Sequence, residues 1–320
     1  MDIKNIKIFN LGDLYKCHLA IKKMGKLYDK IYNIEHDLNH DKSIDYSRFD
    51  ENFQNIIKKF TSKLGDKLND SFFYGNINNL SLEYVENIHS FNDESEVMAE
   101  YLPKENKIIY KDLFYVYHEL FHLVTANVYK DKKFVGFHQN KFGIALNEGY
   151  TQLLVKRYFK DNYAENAYRY ETYFCELLEL IVGQDKMEKL YLQSDLMGLI
   201  KELRKYNELR KIIKFINELD MLMYLNSYFT ENNIKKSKSA RIMCKYIFKD
   251  MSIFLMETAM KKSKIIIKSQ DNLETETFKK VISELIDGLV GKDMIFKGNI
   301  YPLISRMDMS KCLVKSKLKK

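Results

Sequence analysis

Apolar residues recur at helical spacing along most of this chain. Leu14, Cys17, Leu19, Ile21, Met24 and Leu27 predict an amphipathic helix between Leu11 and Lys30. Phe53, Ile56, Ile57, Phe60 and Leu64 predict another within Phe49 to Leu68. Val116, Leu120, Leu123, Val124 and Val128 share one face of a third. Ile144 to Tyr158 reads as a fourth, with Ile144, Leu146, Leu153, Leu154 and Val155 as its apolar members. Tyr170, Tyr173, Phe174, Leu177, Leu178, Leu180 and Ile181 mark a strongly apolar helix that stops near Gly183. Further helices are predicted at Met187 to Gln193, Asp195 to Tyr206, Glu208 to Phe229, Ala240 to Met260 and Leu273 to Leu289.

Only the stretch from Ser71 to Tyr110 departs from this period. Phe72 and Phe73 lead into Asn76 to Asn79, which reads as a turn. Leu80 to Val85 alternates, with Leu80, Leu82 and Tyr84 on one side and Ser81, Glu83 and Val85 on the other, as a half-buried strand does. Val97 to Leu102 and Lys107 to Tyr110 flank Pro103-Lys104-Glu105-Asn106 and read as a hairpin. The pattern predicts an α+β protein that is mostly α: a small sheet of about three strands, then helices to the end.

Composition narrows this picture. The 320 residues include 2 Pro and 12 Gly, too few for long irregular segments or a turn-rich β fold. No Pro, Gly or Ser-rich linker marks a boundary. Soft divisions fall near residues 70 and 160, giving an N-terminal helical region (1–70), a core (71–160) and a helical C-terminal region (161–320) packed with that core. The net charge is +8, but Lys is interleaved with Glu and Asp and no basic run carries aromatics, so no nucleic-acid partner is expected. Lys315 to Lys320 reads as a solvated tail. Cys17, Cys175, Cys244 and Cys312 form no C-x-x-C pair and read as reduced thiols. Met1 to Ile6 lacks the apolar run of a signal peptide, and no apolar stretch is long enough to span a bilayer. A cytoplasmic protein without membrane contact is the expectation. Met221, Met223, Met243, Met251 and Met256 read as core filler.

The chemistry gathers at His118-Glu119-Leu120-Phe121-His122. Histidines four apart stand one turn above each other on a helix, with imidazoles about 6 Å apart along the axis. Neutral imidazole suits Zn2+, but a catalytic zinc needs a third protein ligand and an open corner for water. Glu148, in Asn147-Glu148-Gly149-Tyr150, is the candidate: a break at Asp131, Lys132, Lys133, Gly136 and Gly143 lets a second helix bring it back. Glu119 is placed to act on a metal-held water rather than on the metal. His138, between the two helices, and Tyr150 and Tyr173 are the groups considered for stabilising an oxyanion. His36 and His40, flanked by Asp37 and Asp41, lack an apolar helix around them and read as a solvated turn. His89 is given no role.

At these residues, over roughly Val97 to Tyr158, the chain resembles the gluzincin metallopeptidases, zincins whose third ligand is a glutamate on a following helix. The resemblance implies a zincin-like core. In it a small sheet precedes the metal helix, its edge strand lines a cleft where an extended peptide adds as a strand, and C-terminal helices form the lower wall. It implies one Zn2+ per chain on His118, His122 and Glu148. It also implies hydrolysis of a peptide or protein substrate, with Glu119 as general base. There is one departure. The thermolysin-like pattern has an acidic residue four places after the third ligand, supporting a metal histidine; here that place holds Gln152. Changes in such outer contacts cost about 10–100-fold in metal affinity or activity. A second class of function therefore stays open, a catalytically weak or inactive zincin-fold module that binds peptides or a partner protein.

Overall fold

Asp50 starts the first described helix by accepting a hydrogen bond from Phe53 N at 2.8 Å. That helix, α1, spans Glu51–Leu64 and ends at Gly65, whose φ of 52° few other residues adopt. Its buried stripe, Phe53, Ile57, Phe60 and Leu64, follows the predicted period. The computed structural model describes residues 42–262, except 87, 90–95, 130–131, 140–141, 165–166, 232–243, 245, 249, 256 and 260. The helices predicted over Leu11 to Lys30 and Leu273 to Leu289 lie outside the described residues, as do His36, His40, Cys17, Cys312, Met243, Met256 and the Lys-rich terminus.

Asn76 to Asn79 is not the predicted turn. Phe73–Asn78 forms a short helix, α2, with Phe73 and Ile77 buried one turn apart. Asn76 Nδ2 donates to the Leu123 and Ala126 carbonyls at 2.7 and 2.8 Å, at the C-terminal end of another helix. The Asn-rich run that looked like turn chemistry thus includes a remote helix cap.

Five strands follow: β1 (Ser81–Tyr84), β2 (Ile88–His89), β3 (Glu96–Val97), β4 (Ala99–Leu102) and β5 (Lys107–Tyr110). β1, β5 and β4 form a sheet in that order, with β1 parallel and β4 antiparallel to β5. The predicted strand over Val97 to Leu102 is interrupted at Met98, whose carbonyl accepts from Lys111 N and Asp112 N at 2.8 and 3.3 Å. β4 is left as an edge.

Helix α3 (Val116–Thr125) is buried along its whole length. It stops short of Val128, which the periodicity had assigned to it. The segment predicted as a loop holds instead a three-stranded antiparallel sheet, β6 (Asn127–Tyr129), β7 (Lys132–Val135) and β8 (His138–Gln139). His138, expected in the loop between the two helices, lies on β8 and pairs with Val135 of β7.

Helix α4 (Ile144–Tyr158) has the predicted bounds, and α5 (Arg169–Val182), α6 (Gln184–Leu192), α7 (Leu196–Leu203) and α8 (Leu209–Glu231) follow it. Further helical residues occur within 244–262. The protein is mostly helical with small sheets. α4 and α5 approach closely at Gly149, where a Cβ would lie 2.4 Å from the Glu171 carbonyl carbon. One continuous core runs from Phe49 to Ala259, across both soft divisions. Met251 lies within it, and Met221 and Met223 pack against it. Cys175 and Cys244 are buried and form no disulfide. Among the described residues no helix is long and apolar enough to cross a membrane.

Two buried devices hold α4. At its C-terminal half, Arg157 pairs with Glu179 and, at 3.3 Å, with Glu188; Lys67 Nζ reaches Glu188 at 2.8 Å. Tyr150 OH donates to Glu179 at 2.5 Å and Tyr158 OH to Glu188 at 2.6 Å. At its N-terminus Gly143 offers no side-chain cap. Asp220 of α8 supplies one, accepting from Gly143 N at 2.9 Å and Ala145 N at 2.8 Å. Burial pushes the Asp220 carboxyl up to about 7 against the pull of these N–H groups. Its folded pKa lies above its unfolded value, so the native state binds more protons in between. Its contribution to stability is then greatest below the unfolded pKa and declines as pH rises toward 7. Asp220→Ala is expected to cost about 1–2 kcal/mol, read as a lower denaturant midpoint. Asp220→Asn, which cannot titrate, should flatten the fall in midpoint between about pH 4 and pH 7. An unchanged slope would rule out this carboxyl as its source.

Candidate metal centre

Helical geometry sets His118 and His122 on one face of α3, with ring centroids 4.8 Å apart. α4 brings Glu148 to them. Its Oε2 lies 3.0 Å from His118 Nε2 and 3.2 Å from His122 Nε2. One donor atom from each of the three residues lies within 4.8 Å of the others. Bonds of about 2.0–2.1 Å in a tetrahedron put two ligand atoms about 3.3–3.4 Å apart. The two measured separations are close to that, and the donor set suits a borderline divalent ion. The structure therefore brings together all three residues singled out as ligands, and they fit a metal.

The electrostatics agree with a tightly coupled trio. Burial opposes charge on Glu148, but His122 and His118 outweigh it and hold its carboxyl well below the ordinary range. Burial likewise opposes charge on His118; Glu148 and Glu119 outweigh it, and its pKa is raised. An ion taken up here would displace the proton that His118 carries, so binding should strengthen as pH rises through that titration.

Each histidine has a carboxamide behind it. Gln152 Oε1 accepts from His118 Nδ1 at 3.0 Å, and Gln152 Nε2 donates to the Ala164 carbonyl at 2.7 Å. The second bond fixes which end of the amide faces the ring. It leaves Nε2 of His118 directed at the centre. Asn147 Oδ1 accepts from Phe137 N at 3.1 Å, and its Nδ2 faces His122 Nδ1 at 3.2 Å. In this arrangement the His122 proton sits on Nε2, toward Glu148. For His122 to hold an ion through Nε2, its proton would have to sit on Nδ1, with an acceptor rather than the Asn147 Nδ2 facing it.

Glu119 is 7% exposed and stays clear of the trio. Its Oε2 accepts from Tyr101 N of β4 at 2.8 Å. That N–H points out of the sheet, along the edge β4 leaves open. Burial is the main cause that raises the Glu119 carboxyl, partly offset by His118 and His122.

Two of the groups considered as oxyanion donors, Tyr150 and Tyr173, belong to the hydrophobic core. Tyr150 is fully buried and bonded to Glu179. Tyr173 packs against Phe174 and Phe248, and His138 is on β8. The sequence reading missed Tyr168. Its ring stacks on His118 at 5.5 Å between centroids and 20° between planes. The charge of the nearby Glu148, ahead of burial, holds its phenol well above the usual pKa. As one of 23 tyrosines, with no spacing rule to the motif, it carried no signal. A cavity of about 250 Å³ lined by Lys67, Asp185, Glu188 and Lys189 shares no residue with this centre.

Comparison with protein-family models, curated proteins and solved structures returned no match.

Proposed function

We propose that this protein is a zinc-dependent peptidase of zincin type, with His118, His122 and Glu148 as ligands. The observation that carries the reading is the convergence of those three side chains beside a buried Glu119 that is not one of them. Bound zinc supplies an acidified water and an electrophilic pull on a carbonyl oxygen. Glu119, held by the Tyr101 N–H, takes the proton of the attacking water and passes it to the leaving amine as the peptide C–N bond breaks. Tyr168 donates a hydrogen bond to the carbonyl oxygen as negative charge gathers there. The open edge of β4 offers main-chain groups to an extended peptide.

Elemental analysis should find about one zinc per chain, consistent with a single three-ligand site, and His118→Ala should lose it. Chelation should abolish cleavage of a quenched peptide pool, and added zinc should restore it. Wild-type protein without stoichiometric metal would end the reading. A metal-loaded wild type that cleaves no peptide would leave the binding module in its place.

A further inference from the structure

Gln152 reaches in two directions. Its oxygen serves His118 and its nitrogen serves the Ala164 carbonyl. The same carbonyl accepts from Ala167 N at 3.1 Å, closing the turn that leads into Tyr168. Tyr168 then lies back on the His118 ring. The contacts close a circuit: His118 to Gln152, Gln152 to Ala164, the turn to Tyr168, and Tyr168 back to His118.

Only a carboxamide completes this circuit. A carboxylate at position 152 would still accept from His118, but its other oxygen would face the Ala164 carbonyl, two acceptors with no proton between them. Tyr168 also needs holding. Its φ of 49° and ψ of 38° are left-handed, a conformation costly for a bulky side chain and kept only where surroundings impose it.

We propose that Gln152 is a positioning residue that couples the hold of His118 on the metal to the placement of Tyr168. The proposal rests on the metal-centre reading above. It turns the departure from an acidic residue at this position into a device: metal at His118 steadies the Tyr168 turn, and the turn steadies His118. The coupling is reciprocal, so loosening the turn weakens metal binding by the same factor as metal tightens the turn.

The test is hydrogen exchange of full-length protein, with and without zinc, together with zinc affinity by chelator competition. In the wild type, zinc should slow exchange of the amides in 163–170. In Gln152→Glu, zinc should still bind, because His118 keeps an acceptor, but its effect on 163–170 should disappear. Turnover of a quenched peptide pool should then fall as far as in Tyr168→Phe, and the double variant should be no slower than the slower single one. Gln152→Met, neutral and close in volume, removes both bonds; it should lose the protection and bind zinc about 10–100-fold more weakly. It gives the same reading should Gln152→Glu fail to fold. Zinc protection of 163–170 that survives in either variant overturns the coupling, as does a folded Gln152→Glu that no longer binds zinc. A wild type that takes up no zinc overturns the metal-centre reading itself, a separate result.

Discussion

Glu119→Gln is expected to keep its zinc and to lose about a hundred- to ten-thousand-fold in peptide cleavage, the usual worth of a positioned general base. The substitution is nearly isosteric. The amide oxygen can still accept the Tyr101 N–H that now bonds Glu119 Oε2 at 2.8 Å, so the local fold survives. What disappears is the capacity to take a proton from water and return it to the amine. Zinc content should not change, because Glu119 is outside the trio that could hold an ion. Paired measurements of zinc per chain and turnover decide the matter. Unchanged turnover removes Glu119 from the chemistry, and lost zinc shows that it supports the site instead.

Arg157→Ala is expected to be the most destabilising single change among the contacts described here, at about 3–5 kcal/mol by urea unfolding. Arg157 stands between two carboxylates whose side chains are 9% and 2% exposed, Glu179 and Glu188. Without it Glu188 retains Lys67 and Tyr158, but Glu179 keeps only the hydroxyl of Tyr150. An uncompensated buried charge costs far more than the pair itself contributes. Set against a total stability of about 5–15 kcal/mol, the loss is large. Arg157→Met combined with Glu179→Met should be less damaging than Arg157→Met alone, since the stranded charge leaves with its partner. Equal or greater damage in the double variant would mean that packing, not charge, sets the cost.

The centre's three convergent side chains were legible because each signal was local. Two histidines four apart on an apolar helix can face only one way, and Glu148 sat in a second helix whose bounds, Ile144 to Tyr158, the apolar spacing gave correctly. What escaped depended on distant partners. Asp220 caps α4 from 75 residues away, and nothing near it reads as a cap. Asn76 looked like turn chemistry because its carbonyl partners belong to another helix. The sheet of β6, β7 and β8 was missed because its strands are short, one begins with Lys132 and Lys133, and Gly136 turns between two of them, residues that read as breakers. Gln152 stood out as a departure, but its purpose was invisible without the Ala164 carbonyl. Tyr168 owes its place to a left-handed backbone that no periodicity encodes.

The Asp220 cap also imposes an order on biosynthesis. A ribosome releases the two histidines of α3 and then Glu148 well before residue 220, yet the helix carrying Glu148 gains its N-terminal anchor only when α8 has emerged and docked. The acidic corner of the centre is thus finished late in translation, with the imidazole pair in place first. Nascent chains halted before α8 would carry the whole motif and still lack the N-terminal anchor of the helix that bears its carboxylate.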